Sequence, residues 1–598
     1  MPDEGDSVNP DAATAGEDGE IRKILVANRG EIALRIMRTA RAMGIRTVAV
    51  YSDADQDAAH VLAADEAVRL GEPGIDSSGP SASYLNIPQL IAAAESTDAD
   101  AVHPGYGFLS ERSAFAQACA DAGLTFIGPP AHVIEAMGRK DAARDIAEKA
   151  GVPVLPTYRA ESRDLEFPVL VKAAAGGGGK GMRVVREAEE LPDALISAER
   201  EARAAFADGT LLVERFVELG RHVEVQIFAD SYGNVIHLGE RDCSAQRRHQ
   251  KVAEESPAPT ISAALRDRLH AAAVRLSETV GYVNAGTVEF LVAGDEFFLL
   301  EMNTRLQVEH PVTELVTGLD LVELQIRVAR GEPLPLRQQD VRTAGHAIEV
   351  RVYAEDAEHG FLPQAGRAGT VAWPSGPDVR VDAALRSFDE VAPWYDPMIG
   401  KVIAYGPDRE SARLALRGAL DRTRIEGLIT NLGFLRDLTG SAQFADAEID
   451  TGWLDRNPDL PLHPRLVPDG PTPFDRRDGW RLAGPALPPR GATGAGSGSP
   501  GRARPGAADQ APVDGFVRSP MPGTVIALKV TAGQTVEAGE PLGAVEAMKM
   551  EHTLTAPRAG RVARIGAAVG EQVPIGAVLF EIDDPASTEP EPDEGGGR

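Results

Sequence analysis

The segment Glu546-Ala547-Met548-Lys549-Met550 lies between the two halves of an internal repeat. Six positions before it recur after it at one constant offset: Gly523, Val525, Gly533, Val536, Gly539 and Leu542 recur as Gly560, Val562, Gly570, Val573, Gly576 and Leu579. A doubled pattern of short apolar segments and glycines predicts two similar halves of a small, flattened β-barrel over residues 513–583. Met548 and Lys549 fall in the turn that joins the halves, so we expect the lysine ammonium to project into solvent.

A lysine on a turn is ordinarily no more than a solvated charge. Here the flanking methionines, the preceding Pro520-Met521-Pro522-Gly523 and the repeat favour a specialised role. Together these features resemble the biotinyl carrier domain, in which this lysine is acylated by biotin. The lipoyl carriers share the fold, but the sequence Ala-Met-Lys-Met favours biotin. The resemblance therefore implies covalent biotin on Lys549.

The length of 598 residues predicts about three to five domains. No stretch of about 18 apolar residues is present, so we expect no membrane span. Residues 1–20 lack an apolar core, so we expect no secretory signal. The two cysteines, Cys119 and Cys243, cannot by themselves form a disulfide framework or a zinc site, which favours a reducing, cytoplasmic compartment.

The net charge of −29 argues against nucleic-acid binding, for which a basic surface is expected. Part of that charge lies in two acidic tails, residues 1–20 and 584–598, which we predict to be disordered. Residues 463–512 are rich in Pro, Gly, Ala and Arg and are predicted to be a flexible linker. Anionic ligands must therefore bind at local clusters of Lys and Arg.

The chain before the linker alternates strand and helix patterns, as in an α/β and α+β multidomain protein. Residues 21–130 predict a parallel, Rossmann-like sheet, although Asn28-Arg29-Gly30 after the first strand lacks the dinucleotide fingerprint. A second domain is predicted over 135–335 and a third over 340–455.

A glycine run in the second domain is the first candidate site. Gly176, Gly177, Gly178 and Gly179 allow a backbone to approach phosphate oxygens closely. Lys180 is followed by Gly181 rather than Ser or Thr, so this is not a Walker loop. The alternative is a mobile surface hairpin. Lys172, on the strand just before the run, favours a lid that closes over a triphosphate.

A run of alternating polar residues forms the second candidate site. Around Gly294 the chain reverses between two apolar strands, which predicts that Glu301 lies opposite Glu289. If the strand stays extended to Glu309, alternate side chains point to one side: Glu301, Asn303, Arg305, Gln307 and Glu309. Two carboxylates and an amide oxygen suit Mg²⁺ (or Mn²⁺) with nucleotide phosphates. The alternative is an ordinary solvated edge strand.

A cationic cluster forms the third candidate site in this acidic chain. It comprises Arg221-His222, Glu240–Cys243 and Gln246–Lys251. A short cluster amid so much acid favours a phosphate-bearing small molecule over nucleic acid.

These motifs resemble biotin carboxylase, an ATP-grasp enzyme, in the same order from about residue 21 to residue 454. The matching segments are Lys23–Ile36, His103–Glu111, the glycine run, Glu240–Lys251, Glu301–Glu314 and His346–Asp356. Including the C-terminal domain, the whole chain resembles the α chain of acyl-CoA carboxylases. The resemblance implies a Rossmann-like N-terminal domain, an ATP-grasp domain with a mobile lid, a biotin carboxylase C-terminal domain and a biotinyl domain.

The resemblance also implies residue roles. The glycine run and six side chains would bind ATP: Lys140, Lys172, Glu214, His222, Gln246 and His249. Glu289, Glu301 and Asn303 would bind the metal ion. Lys251, Arg305, Gln307 and Val308 would bind bicarbonate. Glu309 would be the base, and Arg351 would stabilise the biotin enolate.

The implied function is ATP-dependent and Mg²⁺-dependent carboxylation of biotin on Lys549 by bicarbonate. A separate carboxyltransferase (β) subunit would then carboxylate acetyl-CoA or propionyl-CoA to malonyl-CoA or methylmalonyl-CoA, as in fatty acid biosynthesis. We therefore expect a biotin protein ligase as a partner, a hetero-oligomeric complex, and a dimer of the biotin carboxylase region.

Three alternatives share parts of this pattern. They are the biotin carboxylase subunit of a two-subunit pyruvate carboxylase, a non-catalytic biotinylated scaffold, and another ATP-grasp ligase such as a carbamoyl-phosphate synthetase. Two departures from the family are visible. Residues 151–167 are shorter than in many relatives, and residues 454–513 are too few for the partner-binding domain of longer α chains.

Overall fold

A computed structural model describes residues 20–72, 74–75, 77, 79, 82–158, 165–173, 183–206, 209–247, 250–458, 460, 515–521, 523–547, 550–574 and 576–583. The chain divides into two compact units, Met1–Leu460 and Pro461–Arg598. The expected tails and most of the expected linker lie outside the described residues, so those expectations stay predictions.

The first unit begins with alternating strands and helices. They are β1 (Lys23–Val26), α1 (Gly30–Ala42), β2 (Arg46–Tyr51), α2 (Ala59–Ala63), β3 (Glu66–Arg69), α3 (Ile87–Ser96), β4 (Ala101–His103), α4 (Ser113–Asp121), β5 (Thr125–Phe126) and α5 (Ala131–Gly138). The strands form a parallel sheet in the order β3-β2-β1-β4-β5, which confirms the Rossmann-like expectation. The carboxyl ends of β1 and β4 meet where the strand order reverses, the usual ligand side of such sheets.

A small antiparallel sheet follows. Its elements are α6 (Lys140–Lys149), β6 (Thr157–Tyr158), β7 (Val169–Ala173), β8 (Arg183–Val185), α7 (Leu191–Phe206) and β9 (Leu211–Arg215), with the strands in the order β6-β9-β7-β8. The sheet and α7 share a separate apolar core that includes Val171, Val185 and Ala198. The glycine run between β7 and β8 lies outside the described residues.

A larger antiparallel sheet and its helices complete the first unit. The elements are β10 (Arg221–Ala229), β11 (Val235–Arg247), β12 (Gln250–Ser256), α8 (Ala263–Val280), β13 (Asn284–Ala293), β14 (Glu296–Asn303), α9 (His310–Thr317), α10 (Leu321–Ala329), β15 (His346–Tyr353), β16 (Glu355–Asp356), β17 (Leu362–Pro363), β18 (Gly366–Arg367), β19 (Val371–Ala372), β20 (Val379–Ala383), β21 (Glu390–Val391), β22 (Met398–Gly406), α11 (Arg409–Arg422), β23 (Arg424–Ile425), α12 (Leu432–Gly440), α13 (Ala442–Ala445) and α14 (Trp453–Arg456). Eight strands pair in the order β14-β13-β10-β11-β12-β15-β22-β20. The pairing of β12 with β15 makes one continuous sheet across the boundary expected near residue 340.

The polar run from Glu301 to Glu309 would point its side chains to one side only if it stayed extended, and it does not stay extended. Strand β14 ends at Asn303, and α9 begins at His310 after a loop. Leu306 turns into the core and is fully buried, and Pro311 occupies the first turn of the new helix, where proline is favoured. The tight reversal before β14 is as expected, with Gly294 at φ +59°, a conformation that glycine adopts without strain.

The second unit contains two four-stranded antiparallel sheets. Their strands are β24 (Phe516–Arg518), β25 (Gly523–Leu528), β26 (Thr535–Val536), β27 (Pro541–Ala547), β28 (Met550–Thr555), β29 (Gly560–Ile565), β30 (Gln572–Val573) and β31 (Val578–Asp583). One sheet has the order β24-β31-β29-β26 and the other β28-β27-β25-β30. The repeat-related strands β25 and β29 lie in opposite sheets. The repeated apolar residues, such as Val525 with Val562, are buried, which confirms the doubled β pattern.

Candidate active site

The hairpin of β13 and β14 brings two glutamates together as the sequence predicted. Glu289 is registered directly opposite Glu301. Glu289 is buried, and its Oε1 accepts hydrogen bonds from Asn303 Nδ2 at 2.7 Å and Gln307 Nε2 at 3.1 Å. Glu301 is exposed and has no hydrogen-bond or ion-pair partner within the described part of the chain. One carboxylate is therefore fixed, and the other is free to bind a ligand.

Lys251 of β12 is the centre of a buried cluster of charges. Its Nζ lies 2.6 Å from Glu224 Oε2, 2.8 Å from Glu289 Oε1 and 2.7 Å from Glu309 Oε1. Burial by itself lowers the pKa of Lys251, but the three carboxylates outweigh it and raise that pKa well above its usual value. Lys251 is therefore a permanent cation, suited to holding an anion in this part of the site.

Glu309 is fully buried and occupies the position just before α9. Its Oε1 contacts Lys251, and its Oε2 accepts a hydrogen bond of 3.0 Å from Arg351 Nη2. Burial favours the neutral acid, but the charges of Lys251 and Arg351 outweigh this effect and lower the pKa of Glu309 below its usual value. The group is therefore ionised at neutral pH and can accept a proton.

Arg351 of β15 lies between two carboxylates. Its Nε donates to Glu254 Oε1 at 2.5 Å, in addition to the bond from Nη2 to Glu309. Burial lowers the pKa of the guanidinium and Glu254 raises it, with a net increase well above the usual value. Burial also raises the pKa of Glu254 to about 7, and its Oε2 has no hydrogen-bond partner among the described residues. The guanidinium is thus a fixed cation beside the expected base.

The loop after β14 is anchored by Arg305. Its guanidinium contacts Asn303 Oδ1 at 3.0 Å and Gln307 Oε1 at 2.6 Å. It also contacts Glu111 Oε2 at 2.9 Å, and Glu111 belongs to the loop after β4 of the N-terminal sheet. The N-terminal and central parts of the first unit therefore meet at this site. Val308, also expected here, offers its backbone oxygen to Lys401 Nζ at 2.6 Å.

The residues expected to bind nucleotide fall into two groups. His222 belongs to the charge cluster, with Nε2 at 3.1 Å from Glu289 Oε2, and Gln246 Nε2 lies 3.4 Å from His222 Nδ1. Lys172 and Glu214 instead form their own pair, at 2.5 Å, on the small sheet. Among the described residues, neither of these two hydrogen-bonds or ion-pairs with the cluster around Lys251.

For several residues expected at the site, the structure describes no side chain. Lys140 begins α6, but its side chain lies outside the description. Gly176 to Gly179, His249 and Lys549 lie outside the described residues altogether. On either side of Lys549, Ala547 of β27 is paired with Met550 of β28.

The sequence predicted Arg241 within the third, cationic candidate site, but the buried Glu224, Glu254 and Lys401 were not expected. Glu224 and Arg241 are both 0% exposed and form an ion pair at 2.6 Å. Glu224 could have been found, because His222, Glu224 and Gln226 alternate with apolar residues along β10. Glu254 and Lys401 offered no comparable pattern.

Glu289, Glu301 and Asn303 fit a divalent metal ion. The negative charge of Glu289 raises the pKa of Glu301 above its usual value. Two adjacent carboxylates that oppose each other's ionisation favour a bound cation, and the oxygen donors suit Mg²⁺ or Mn²⁺.

Comparison with protein families gives four consecutive matches. The model described as "Biotin carboxylase, N-terminal domain" matches residues 20–134, and "Carbamoyl-phosphate synthase L chain, ATP binding domain" matches residues 139–337. "Biotin carboxylase C-terminal domain" matches residues 349–456, and "Biotin-requiring enzyme" matches residues 516–582.

Known proteins of similar sequence match either about three quarters of the chain or nearly all of it. The methylcrotonoyl-CoA carboxylase subunit alpha, mitochondrial, of Oryza sativa is 52% identical over 449 residues, which are 73% of this chain and 60% of that protein. The propionyl-CoA carboxylase alpha chain of Ruegeria pomeroyi is 39% identical over 683 residues, covering 94% of this chain and 100% of that protein. The chain belongs to the acyl-CoA carboxylase α-chain family.

A solved structure supports the fold of this α chain. The biotin carboxylase of Campylobacter jejuni, in a complex with an ATP analogue described as β-γ-ATP, has a TM-score of 0.70 and 45% identity. The matched region is 73% of this chain and 99% of the Campylobacter chain. The α chain therefore has an ATP-grasp biotin carboxylase region followed by a biotinyl domain, and biotin, ATP and Mg²⁺ are the cofactors of its family. None of the helices in its described part is both long and apolar enough to cross a membrane.

Proposed function

We propose that this α chain uses ATP, Mg²⁺ and bicarbonate to carboxylate biotin attached to Lys549. The observation that carries the proposal is the position of Glu309, a buried carboxylate kept ionised between Lys251 and Arg351. A base in contact with two fixed cations is suited to a substrate that is itself an anion.

The protein's own residues would act as follows. Lys251 and Arg305 would bind the bicarbonate oxygens, and one oxygen of Glu309 would take the bicarbonate proton as the γ-phosphoryl group of ATP is transferred. Lys172, beside Glu214, and His222 would orient the nucleotide, and the lid would exclude water from the reactive product. Arg351 would supply a fixed positive charge where negative charge develops.

A bound metal ion and biotin would contribute two further effects. A metal ion held by Glu289, Glu301 and Asn303 would screen the phosphate charge, and biotin would carry the activated carboxyl group to the next active site. These roles follow from the donor atoms and from the family.

We further propose that the carboxyl acceptor is an acyl-CoA bound by a separate carboxyltransferase (β) subunit. The names of the rice and Ruegeria relatives favour a methylcrotonoyl-CoA or propionyl-CoA acceptor over acetyl-CoA. The matched segment spans 60% of the rice protein, so the whole-protein activity of that relative is not transferred directly. A biotin protein ligase, a hetero-oligomeric complex, a dimer of the first unit and the predicted domain boundaries belong to the same proposal.

A cytoplasmic location is also part of the proposal. It is supported by the two cysteines, Cys119 and Cys243, which are both buried and unpaired in disulfides.

The test is to purify the native complex and to measure acceptor-dependent ATP cleavage with propionyl-CoA, methylcrotonoyl-CoA, acetyl-CoA and pyruvate. We expect an acyl-CoA to be carboxylated and pyruvate to be inert. Pyruvate carboxylation would favour the pyruvate carboxylase alternative. An absence of bicarbonate-dependent ADP release with every acceptor and with free biotin would favour a non-catalytic scaffold.

A further inference from the structure

Lys401 is a buried cation that the expected catalytic set does not contain. It lies on β22 and is registered directly opposite Arg351 of β15. Its side chain is 0% exposed, and its Nζ donates a hydrogen bond of 2.6 Å to the backbone oxygen of Val308. Arg351 and Lys401 therefore contact two consecutive residues. Arg351 binds the Glu309 carboxylate, and Lys401 binds the Val308 backbone oxygen.

Three carboxylates lie near the buried ammonium of Lys401, but its shortest contact is with the Val308 oxygen. Glu31 Oε1 is 3.5 Å from Nζ and Glu349 Oε1 is 3.9 Å away, both longer than the contact with Val308. Burial raises the pKa of Glu31 to about 7 and that of Glu349 well above its usual value, so neither is a strong anion at neutral pH. Asp382, registered opposite Lys401 on β20 and paired with Arg380, has a lowered pKa and supplies negative charge near the ammonium. Among the described residues it forms no ion pair with Lys401, so the closest contact of the lysine Nζ is the Val308 oxygen.

The backbone that Lys401 contacts has few other short hydrogen bonds, one of which joins His310 Nδ1 to Gln307 O at 2.8 Å. It lies in the loop between β14 and α9, where the nearby backbone hydrogen bonds are long. The distance is 3.4 Å from His310 N to Gln307 O and 3.3 Å from Val312 N to Glu309 O. The bond of 2.6 Å from Lys401 is therefore the shortest restraint on the peptide that precedes Glu309.

Lys401 also reaches towards the N-terminal sheet. Glu31, in the first turn of α1, accepts a hydrogen bond from the Tyr106 hydroxyl in the loop after β4. The same loop contributes Glu111, which binds Arg305. The loop after β4 is therefore linked to Lys401 through Glu31, and to the loop that carries Glu309 through Arg305.

We propose that Lys401 is a positioning residue for the carboxylation reaction. By binding the Val308 oxygen, it fixes the Glu309 carboxylate between Lys251 and Arg351 without touching a substrate. The proposal rests on the proposed function, because it assumes that Glu309 takes the bicarbonate proton. The competing explanation is that Lys401 only stabilises the fold.

Lys23 provides a matched control for that explanation. It is also a buried lysine on a strand, 5% exposed, with Nζ donating to the Thr97 backbone oxygen and lying 2.8 Å from Glu66 Oε1. Among the described residues, it has no hydrogen bond or ion pair with the residues around Glu309. Lys23→Met and Lys401→Met therefore remove the same kind of interaction at different places.

The experiment uses the full chain and free biotin as acceptor, with ATP and bicarbonate varied independently. We expect Lys401→Met to lower kcat/KM for bicarbonate about 100-fold, the order of loss caused by a 1 Å misplacement of a reacting group. The KM for ATP should change by no more than about twofold, because the nucleotide residues are untouched. Lys401→Arg should have a kcat/KM for bicarbonate about tenfold higher than that of Lys401→Met, because arginine returns a cation to the Val308 carbonyl. Lys23→Met should keep both kinetic parameters.

The outcomes separate the two proposals. Wild-type protein without bicarbonate-dependent ATP cleavage would refute the proposed function. An active wild type with a Lys401→Met variant that keeps kcat/KM for bicarbonate would refute the positioning role, as would equal losses in Lys23→Met. If Lys401→Met does not fold, Lys401→Arg decides: a reduced kcat/KM for bicarbonate with an unchanged KM for ATP supports the role, and wild-type kinetics contradict it.

Discussion

The Nζ atom of Lys251 lies 2.7 Å from Oε1 of Glu309, although 58 positions separate the two residues in the chain. The contact joins the strand β12 to the start of α9. Lys251 shares its charge with Glu224 and Glu289 as well, so removal of any one carboxylate leaves the lysine paired. This redundancy permits charge-removing substitutions at Glu309 without leaving a bare buried cation.

Glu309→Gln is expected to abolish bicarbonate-dependent ATP cleavage. The amide cannot accept the bicarbonate proton, and loss of a general base costs about 10²-fold to 10⁴-fold in rate. Nucleotide affinity should stay within a few-fold, because Lys172, Glu214 and Gln246 are unchanged. Steady-state ATP cleavage and equilibrium ADP binding measure the two effects.

Glu323→Gln, on α10, is the control for that substitution, since among the described residues the Glu323 side chain pairs with Arg327, which is itself partly exposed. It should match the wild type in both assays. Substantial turnover by Glu309→Gln would remove Glu309 from the mechanism.

Glu301→Gln is expected to weaken Mg²⁺ binding without lowering the thermal stability of the protein. Glu301 and Glu289 oppose each other's ionisation in the protein without metal, so neutralising Glu301 should leave the thermal unfolding midpoint unchanged or raise it. The Mg²⁺ concentration for half-maximal activity should rise about tenfold or more, because one hard oxygen ligand is lost. A metal titration of ATP cleavage and a thermal melt test both parts. A lower midpoint combined with unchanged Mg²⁺ dependence would contradict this account of the pair.

The His222 and Glu289 pair predicts a pH dependence of stability. Burial lowers the pKa of His222, but Glu289 outweighs it and raises the value from 6.5 to about 9. The stabilisation is therefore complete below pH 6.5 and is lost as pH rises through about 9. Its size is at most about 3 kcal/mol.

Thermal melts of the wild type and His222→Gln between pH 6 and pH 10 test this prediction, without nucleotide or metal. The difference between their midpoints should be constant at the acidic end and should shrink as pH rises. A difference that grows with pH would mean that His222 is neutral in the folded protein.

Lys549→Arg is expected to prevent biotin labelling while sparing carboxylation of free biotin. The guanidinium keeps the charge but cannot form the amide bond, and the described active-site residues all lie in the first compact unit. Intact-mass measurement after expression with a biotin ligase reports labelling, and ATP cleavage with free biotin reports the first unit. Lys529→Arg, on the same unit, is the control and should still be labelled. Loss of free-biotin activity in Lys549→Arg would contradict the division into catalytic and carrier units.

The sequence was most informative where neighbouring residues determine the geometry. Alternation and Gly294 were sufficient to predict that Glu289 and Glu301 face each other. The repeat was sufficient to predict two similar β halves, whose strands are shared between the two sheets of the second unit.

The sequence was least informative about contacts between distant strands. Lys251, Glu224 and Arg351 lie on β12, β10 and β15, and alternation within a strand does not reveal which polar residue on another strand it faces. The prediction that the polar residues after Asn303 point to one side depended on an extended run, and the structure does not meet that condition. His310-Pro311 was a signal for a new helix there, since proline favours the first helical turn.

The pairing of β12 with β15 limits how the polypeptide could be split for expression or exchange. Fragments ending and starting near residue 340 would each carry an open strand edge, with Ala253 separated from its partner Val350. Such edges associate with each other or with foreign strands, so the fragments would need to be produced together. When segments are exchanged between related carboxylases, the whole eight-stranded sheet should be transferred together with its helices. Neither half of that sheet would be expected to reach its native structure alone.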